Sequence, residues 1–261
     1  MNESPDAKDR KPVTVEQQIR RRTFLSFTVF AGVNLAAFGA WRWLRKSPKE
    51  DAGITARAQK PLRKALDKIE LANRKLFNTK NLVKTYPKSR AAIIVRKNGY
   101  IGIKTSIDIA AWNLQVIKSS GQVLKITLEE LRSLPKTELI FDFKCVEGWD
   151  QIQHWAGVRF IDFVNHFNLR EEATMRYVGM ETPAKDYYVG LDIESAMHPQ
   201  TILAYEMNDK PLIEAHGAPL RLITPVKYGI KNLKRIGTIS FSNERTRDYW
   251  AEQGYDYYSG L

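Results

Sequence analysis

The sharpest contrast along the chain is a run from Phe24 to Trp41 that carries no charge, with Ser26, Thr28 and Asn34 its only clearly polar members. At about 1.5 Å per helical residue it spans roughly 27 Å, close to the apolar thickness of a bilayer. Trp41 and Trp43, interleaved with Arg42, Arg45 and Lys46, form the aromatic and basic belt of a membrane interface. A buried helix of a soluble protein is the competing reading, and basic residues on both flanks oppose it. Residues 1–23 read as a cytoplasmic tail, disordered through residue 19, and residues 24–44 as a single transmembrane signal-anchor. The anchor opens on Arg21-Arg22-Thr23-Phe24-Leu25, similar to the twin-arginine (Tat) export signal. No small-x-small cleavage site follows it, so the segment is expected to stay uncleaved.

Residues 45–89 read as a polar linker followed by an amphipathic helix over Pro61–Phe77. Leu62, Leu66, Ile69 and Leu76 share one face of that helix, with Lys and Arg elsewhere. This face is expected to pack on the main domain; lying on anionic lipid is the alternative. From about Arg90 the apolar spacing shortens. Ala92–Val95, Trp112–Ile117, Leu139–Phe143, Ile202–Tyr205 and Arg221–Thr224 read as strands. Thr127-Leu128-Glu129-Glu130 is a capping box opening a helix over Leu128–Ser133. A second helix is expected over Val158–His166, with Val158, Ile161 and Val164 inward. Residues 90–261 therefore read as an α+β, strand-rich domain with short helices.

Charge changes the picture in one respect. The net charge of +12 invites a nucleic-acid reading, yet residues 1–100 hold a net +15 and residues 101–261 a net −3. Basicity belongs to the membrane-proximal part, and no nucleic-acid partner is expected for the domain. Phosphate-loop, dinucleotide and nucleophile-elbow motifs are missing, and the four histidines show no short ligand spacing. No Cys-x-x-Cys-His occurs, so covalent haem is not expected.

One cysteine remains, in Phe143-Lys144-Cys145-Val146-Glu147-Gly148-Trp149. It stands where a strand hands over to a turn, and its thiolate is a potential metal ligand there. By composition alone, a buried structural cysteine is the commoner outcome. The segment Lys144–Trp149, with Trp155-Ala156-Gly157-Val158 after it, resembles the metal-binding core of the sulfite oxidase-type molybdopterin oxidoreductases. Leu203–Leu212, His216–Leu222 and the run from Pro225 to Lys234 resemble the same family in order and approximate spacing. The resemblance covers about residues 90–261.

It implies the molybdopterin-binding fold of that family, preceded by the transmembrane helix, and a molybdenum–molybdopterin cofactor with Cys145 as metal ligand and catalytic centre. It further implies cofactor contacts from Thr182, His216, Arg221, Lys231, Asn232 and Lys234. His216 takes a place held by asparagine in the bacterial methionine sulfoxide reductase branch. Fixed cations suit a buried anionic cofactor, and without it they would destabilise the protein. Val146-Glu147-Gly148-Trp149 stands where sulfite oxidases of the eukaryotic type carry an arginine-rich run, which puts sulfite in doubt. Tyr187 and Tyr188 are weaker candidates near the metal.

With no intrinsic haem or flavin expected, electrons would pass to or from a membrane haem protein or another electron-transfer partner. The expectation is two-electron oxygen-atom transfer on a small-molecule substrate, sulfur-containing compounds among the candidates, at the outer (periplasmic) face of a bacterial inner membrane. A metal-free, membrane-anchored binding or assembly protein on the same fold is the alternative.

Overall fold

The computed structural model describes residues 14–97 and 99–261, so residues 1–13 of the expected tail lie outside the described residues. The chain divides at Pro48 into two units. The first is one helix, α1, over Val15–Lys46, long and apolar enough to cross a membrane. It begins nine residues before Phe24, so the stretch 15–19 expected to be disordered is helical. The cause is local: Thr14 and Gln17 cap each other reciprocally, and Glu16 pairs with Arg20 one turn later. Two of the polar groups within the apolar run are satisfied inside the helix. Thr28 Oγ1 donates to the Phe24 carbonyl at 2.8 Å, and Asn34 Nδ2 to that of Phe30 at 2.7 Å.

The second unit, Lys49–Leu261, carries the rest. Helix α2 (Lys60–Leu76) opens on Pro61, whose missing N–H costs nothing in a first turn. The face it buries is the polar one, centred on Arg63 and Glu70, while Leu62, Ile69 and Leu76 stay exposed. This corrects the expectation that the apolar face packs inward. Ion pairs decide the orientation: Arg63 with Glu50, Arg74 with Glu194, and Arg245 with Asp67 and Glu70.

Two five-stranded sheets follow. One runs β2 (Val123–Ile126), β1 (Leu114–Ile117), β10 (Thr238–Ser242), β5 (Tyr177–Glu181), β6 (Tyr188–Asp192), with only β1 and β10 parallel. The other runs β3 (Lys136–Lys144), β4 (Asp150–Arg159), β7 (Ile202–Met207), β8 (Lys210–Pro211), with β9 (Arg221–Ile223) also paired to β7. Alternation along β3 puts Leu139, Phe141 and Phe143 on one buried face. They join Trp155, Ile202, Ala204 and Ile223 in a core cluster of their own. A larger cluster takes Val158, Leu203 and Leu222 of this sheet together with Val116, Val178, Val189 and Ile239 of the other.

Helix α3 (Leu128–Arg132) carries the expected reciprocal cap between Thr127 and Glu130. Helix α4 covers Phe160–His166, two residues later than expected. Val158 is buried as expected, but as the penultimate residue of β4, and Phe163 takes the inward place given to Ile161. A four-residue helix, α5 (Ile193–Ala196), follows β6. Ala92–Val95 forms no strand. Its carbonyls are held by side chains, Asn208 donating to those of Ala92 and Ile93 and Gln151 to that of Ile94, while one backbone bond, Ala92 N–H to the Ile152 carbonyl, ties it to β4.

Candidate functional site

Cys145 is the first residue after β3, at the head of the turn that leads into β4. The turn is closed by Cys145 N–H to the Trp149 carbonyl at 2.9 Å and Gly148 N–H to the Cys145 carbonyl at 3.1 Å. Gly148 is there for conformation: its φ of +84° strains any side chain, although the space beside it is open. Phe143 and Trp149 stack across the turn with ring centroids 6.1 Å apart. The thiol is thus presented from a packed hairpin end, 4% exposed.

It opens into a cavity of about 260 Å³ whose wall also holds Glu147, Tyr187, Arg221, Asn232, Lys234 and Trp250. Strand β9 presents Arg221. Its guanidinium donates to the His216 carbonyl at 3.1 Å and the Asn232 carbonyl at 3.3 Å, and its carbon sits 4.4 Å from the Trp155 ring centroid. The buried Nε has no hydrogen-bond partner among the described residues. Lys234 donates to the carbonyls of Gly99 at 2.9 Å and Ala215 at 3.1 Å. Gly217 allows the approach: its φ is +95°, and a Cβ there would lie 2.8 Å from Lys234 Cα.

The electrostatics of this corner are unusual. Burial pulls Arg221 down to about 9. Burial, with Arg221 and Lys97 nearby, pulls Lys234 down to about 7. The same surroundings hold His216 near 4, hence neutral at pH 7. Among the described residues no carboxylate acts on either cation. Buried cations of this kind favour an anionic ligand.

Of the residues expected to hold a cofactor, Cys145, Arg221, Asn232 and Lys234 line this one cavity. His216 is buried behind it, edge-on to Trp155, with centroids 6.2 Å apart. Thr182 sits one layer back, its hydroxyl donating to Asp186 at 2.7 Å and accepting from the Tyr187 N–H at 3.3 Å. Lys231 requires correction. Its ammonium is taken by Asp248 at 2.6 Å and the Gly190 carbonyl at 2.9 Å, under the Tyr257 ring, and it does not line the cavity. In the short 3-10 turn Gly229–Lys231, Gly229 and Ile230 face the cavity while Lys231 points away from it, which spacing in a sequence does not reveal.

Of the two tyrosines, Tyr187 reaches the cavity and Tyr188 turns to Arg247 and Glu252. Burial raises the Tyr187 phenol well above its usual value; it donates to the Ile230 carbonyl and accepts from Trp250 Nε1, both at 3.0 Å. Gly99, Ile101 and Ile230 also line the wall; no motif marked them. Elsewhere, Glu138, His154 and Asp209 bring ligand atoms within 4.8 Å of one another, but Lys88 already neutralises Asp209.

A thiol and uncompensated cations sharing one cavity fit a metal carried by an anionic organic group. Residues 100–250 match the family described as oxidoreductase molybdopterin binding domain. The chain belongs to this family. It is thereby an oxidoreductase of the molybdenum class, with the mixed sheet-and-helix fold expected from sequence. Its relatives include a putative protein-methionine-sulfoxide reductase subunit YedZ1 of Azospira oryzae, 34% identical over 187 residues, covering 71% of this chain and 70% of that one. The protein-methionine-sulfoxide reductase catalytic subunit MsrP of Campylobacter jejuni is 30% identical over 182 residues, covering 63% and 61%. The chain thus spans under two thirds of the MsrP protein. The sulfane dehydrogenase SoxCD of Paracoccus pantotrophus aligns at a TM-score of 0.46 and 18% identity, over 54% of this chain and 41% of that one.

Proposed function

We propose that this molybdopterin oxidoreductase holds molybdenum through the Cys145 sulfur and transfers an oxygen atom to or from a sulfur-containing substrate, reducing a sulfoxide in the favoured direction. The observation that carries the reading is the shared cavity, with the thiol at one wall and Arg221 and Lys234 at another. When bound, the molybdenum–pterin group supplies a two-electron centre for oxygen-atom transfer. Cys145 supplies its protein ligand, and Arg221 and Lys234 hold its negative charge, the orphan Nε of Arg221 being a ready donor. Tyr187 and Trp250 form a wall with their protons committed, the phenol donating to the Ile230 carbonyl and the indole N–H to the Tyr187 oxygen, so they shape the cavity and exclude water.

The net reaction is sulfoxide plus two protons and two electrons giving thioether and water. The names of the relatives favour this direction. The electrons would come from a membrane haem protein or another electron-transfer partner. Helix α1 would anchor the domain beside that partner, at the outer face of an inner membrane, which raises the local concentration of each for the other.

The test is elemental analysis of the full chain, made in a molybdenum-replete host, beside its Cys145→Ser variant. About one molybdenum per chain, lost in the variant with circular dichroism unchanged, is expected. Wild-type protein free of molybdenum, or a variant as active as the parent, would falsify the proposal.

A further inference from the structure

Helix α2 is amphipathic in an inverted sense. Its charged flank is clamped into the domain, whereas Leu62, Ile69 and Leu76 are 39%, 52% and 79% exposed. On a 100° wheel these three share one arc with Ala65 and Ala72, and exposed Lys64, Lys68 and Lys75 form the arc beside it. The other outward apolar side chain, Leu71, borders the lysines. Leu76 continues into a shallow hollow with Leu82 and Leu261, themselves 60% and 53% exposed.

We infer that α2 lies on the surface of an anionic bilayer, its Leu62–Ile69–Leu76 stripe in the interface and Lys64, Lys68 and Lys75 on lipid phosphates. An apolar stripe with a lysine border on one short helix is the pattern of interfacial helices. Three like charges along that border oppose pairing with a second copy of the same face.

Chain continuity favours the same occupant, and here the inference rests on α1 crossing the membrane. Lys49, three residues beyond the end of α1, is bridged to Gln59, the residue immediately before α2. Along the chain, the end of α1 thus passes directly into this bridged link and from it into the first turn of α2. The ion pairs Arg63–Glu50 and Arg245–Glu70 fix which flank stays with the protein, so the exposed stripe is held in one orientation. Lipid contact along α2 would thus set how the domain faces the membrane.

The test uses the full chain in nanodiscs containing phosphatidylglycerol or only phosphatidylcholine. Nitroxide labels are placed at Ile69→Cys, Ser120→Cys and Phe30→Cys, with the unsubstituted chain as the blank for Cys145. In phosphatidylglycerol the oxygen-to-nickel-chelate accessibility ratio at Ile69 should exceed that at Ser120 several-fold. Lys64→Glu/Lys68→Glu/Lys75→Glu should abolish that excess. An Ile69 label that collides with water-soluble nickel as freely as Ser120 overturns the inference. So does one shielded from both reagents, which would mean a protein covers the stripe. Phe30 separates the two readings: lipid contact there with Ile69 in water sinks only the α2 inference, and water at both positions sinks the anchor as well.

Discussion

The guanidinium of Arg221 lies over the ring of Trp155 at 4.4 Å while its Nε, buried, finds no acceptor among the described residues. Trp155 comes from β4 and Arg221 from β9, two strands that flank β7. The sheet therefore aims a positive charge at the cavity that holds Cys145 and leaves one donor for a ligand. A cation stacked on an indole and held by two carbonyls is preorganised, and it would lose little entropy on gripping an anion.

Replacing Arg221 with Met should cut cofactor retention by about 10- to 100-fold, the scale of one to two charge-assisted hydrogen bonds. Molybdenum and pterin content after extended dialysis measures it. Full retention would mean that the anion binds elsewhere.

Lys231→Met and Lys234→Met should fail differently. Removing Lys231 strands Asp248 in the interior, a loss of about 3–5 kcal/mol of stability. Removing Lys234 should raise the melting temperature of the cofactor-free chain near pH 7, where a buried uncompensated cation is lost, and lower cofactor retention. Melting curves and metal content, taken together, separate a structural lysine from a binding one.

The cofactor-free protein should gain stability from Lys234 as pH rises. Folding lowers this group from 10.5 to about 7, so between those values the unfolded chain binds the extra proton and the folded one does not. Its contribution to stability therefore increases with pH across that window and is flat below it. Arg221, held near 9, acts in the same direction at still higher pH. The melting temperature of wild type minus that of Lys234→Met, followed from pH 7 to 10, should climb; a difference that falls would reverse the sign.

Gly217→Ala should destabilise the chain by about 1–3 kcal/mol, since alanine is strained at φ +95° and its Cβ would meet Lys234 Cα at 2.8 Å. Denaturant midpoints test the stability loss. A parallel drop in molybdenum content would show Lys234 displaced with it.

Local physics made much of this legible in advance. The apolar run of α1, the capping box of α3 and the alternation of β3 each depend on neighbours within a few residues, so their patterns survive in the linear chain. Cys145 could be placed at a strand end for the same reason. Where a side chain competes for backbone groups from afar, the pattern misled. Asn208 and Gln151 hold Ala92–Ile94 out of a strand, and Asp248 draws Lys231 away from the cavity. The turn of α2 is the clearest case. Periodicity showed an apolar face and a charged one, but Glu50 outside the helix, with Glu194 and Arg245 far along the chain, chose the charged face for burial.

By itself, then, the sequence determined the family, the elements with strong local patterns, and the thiol and cations that make up its chemistry. Tertiary structure alone decided which cations share a cavity with the thiol and which are spent on internal carboxylates. The reason is that a buried charge is governed by whatever opposite charge lies within a few ångströms, and residues that meet at that range come from strands far apart in the chain.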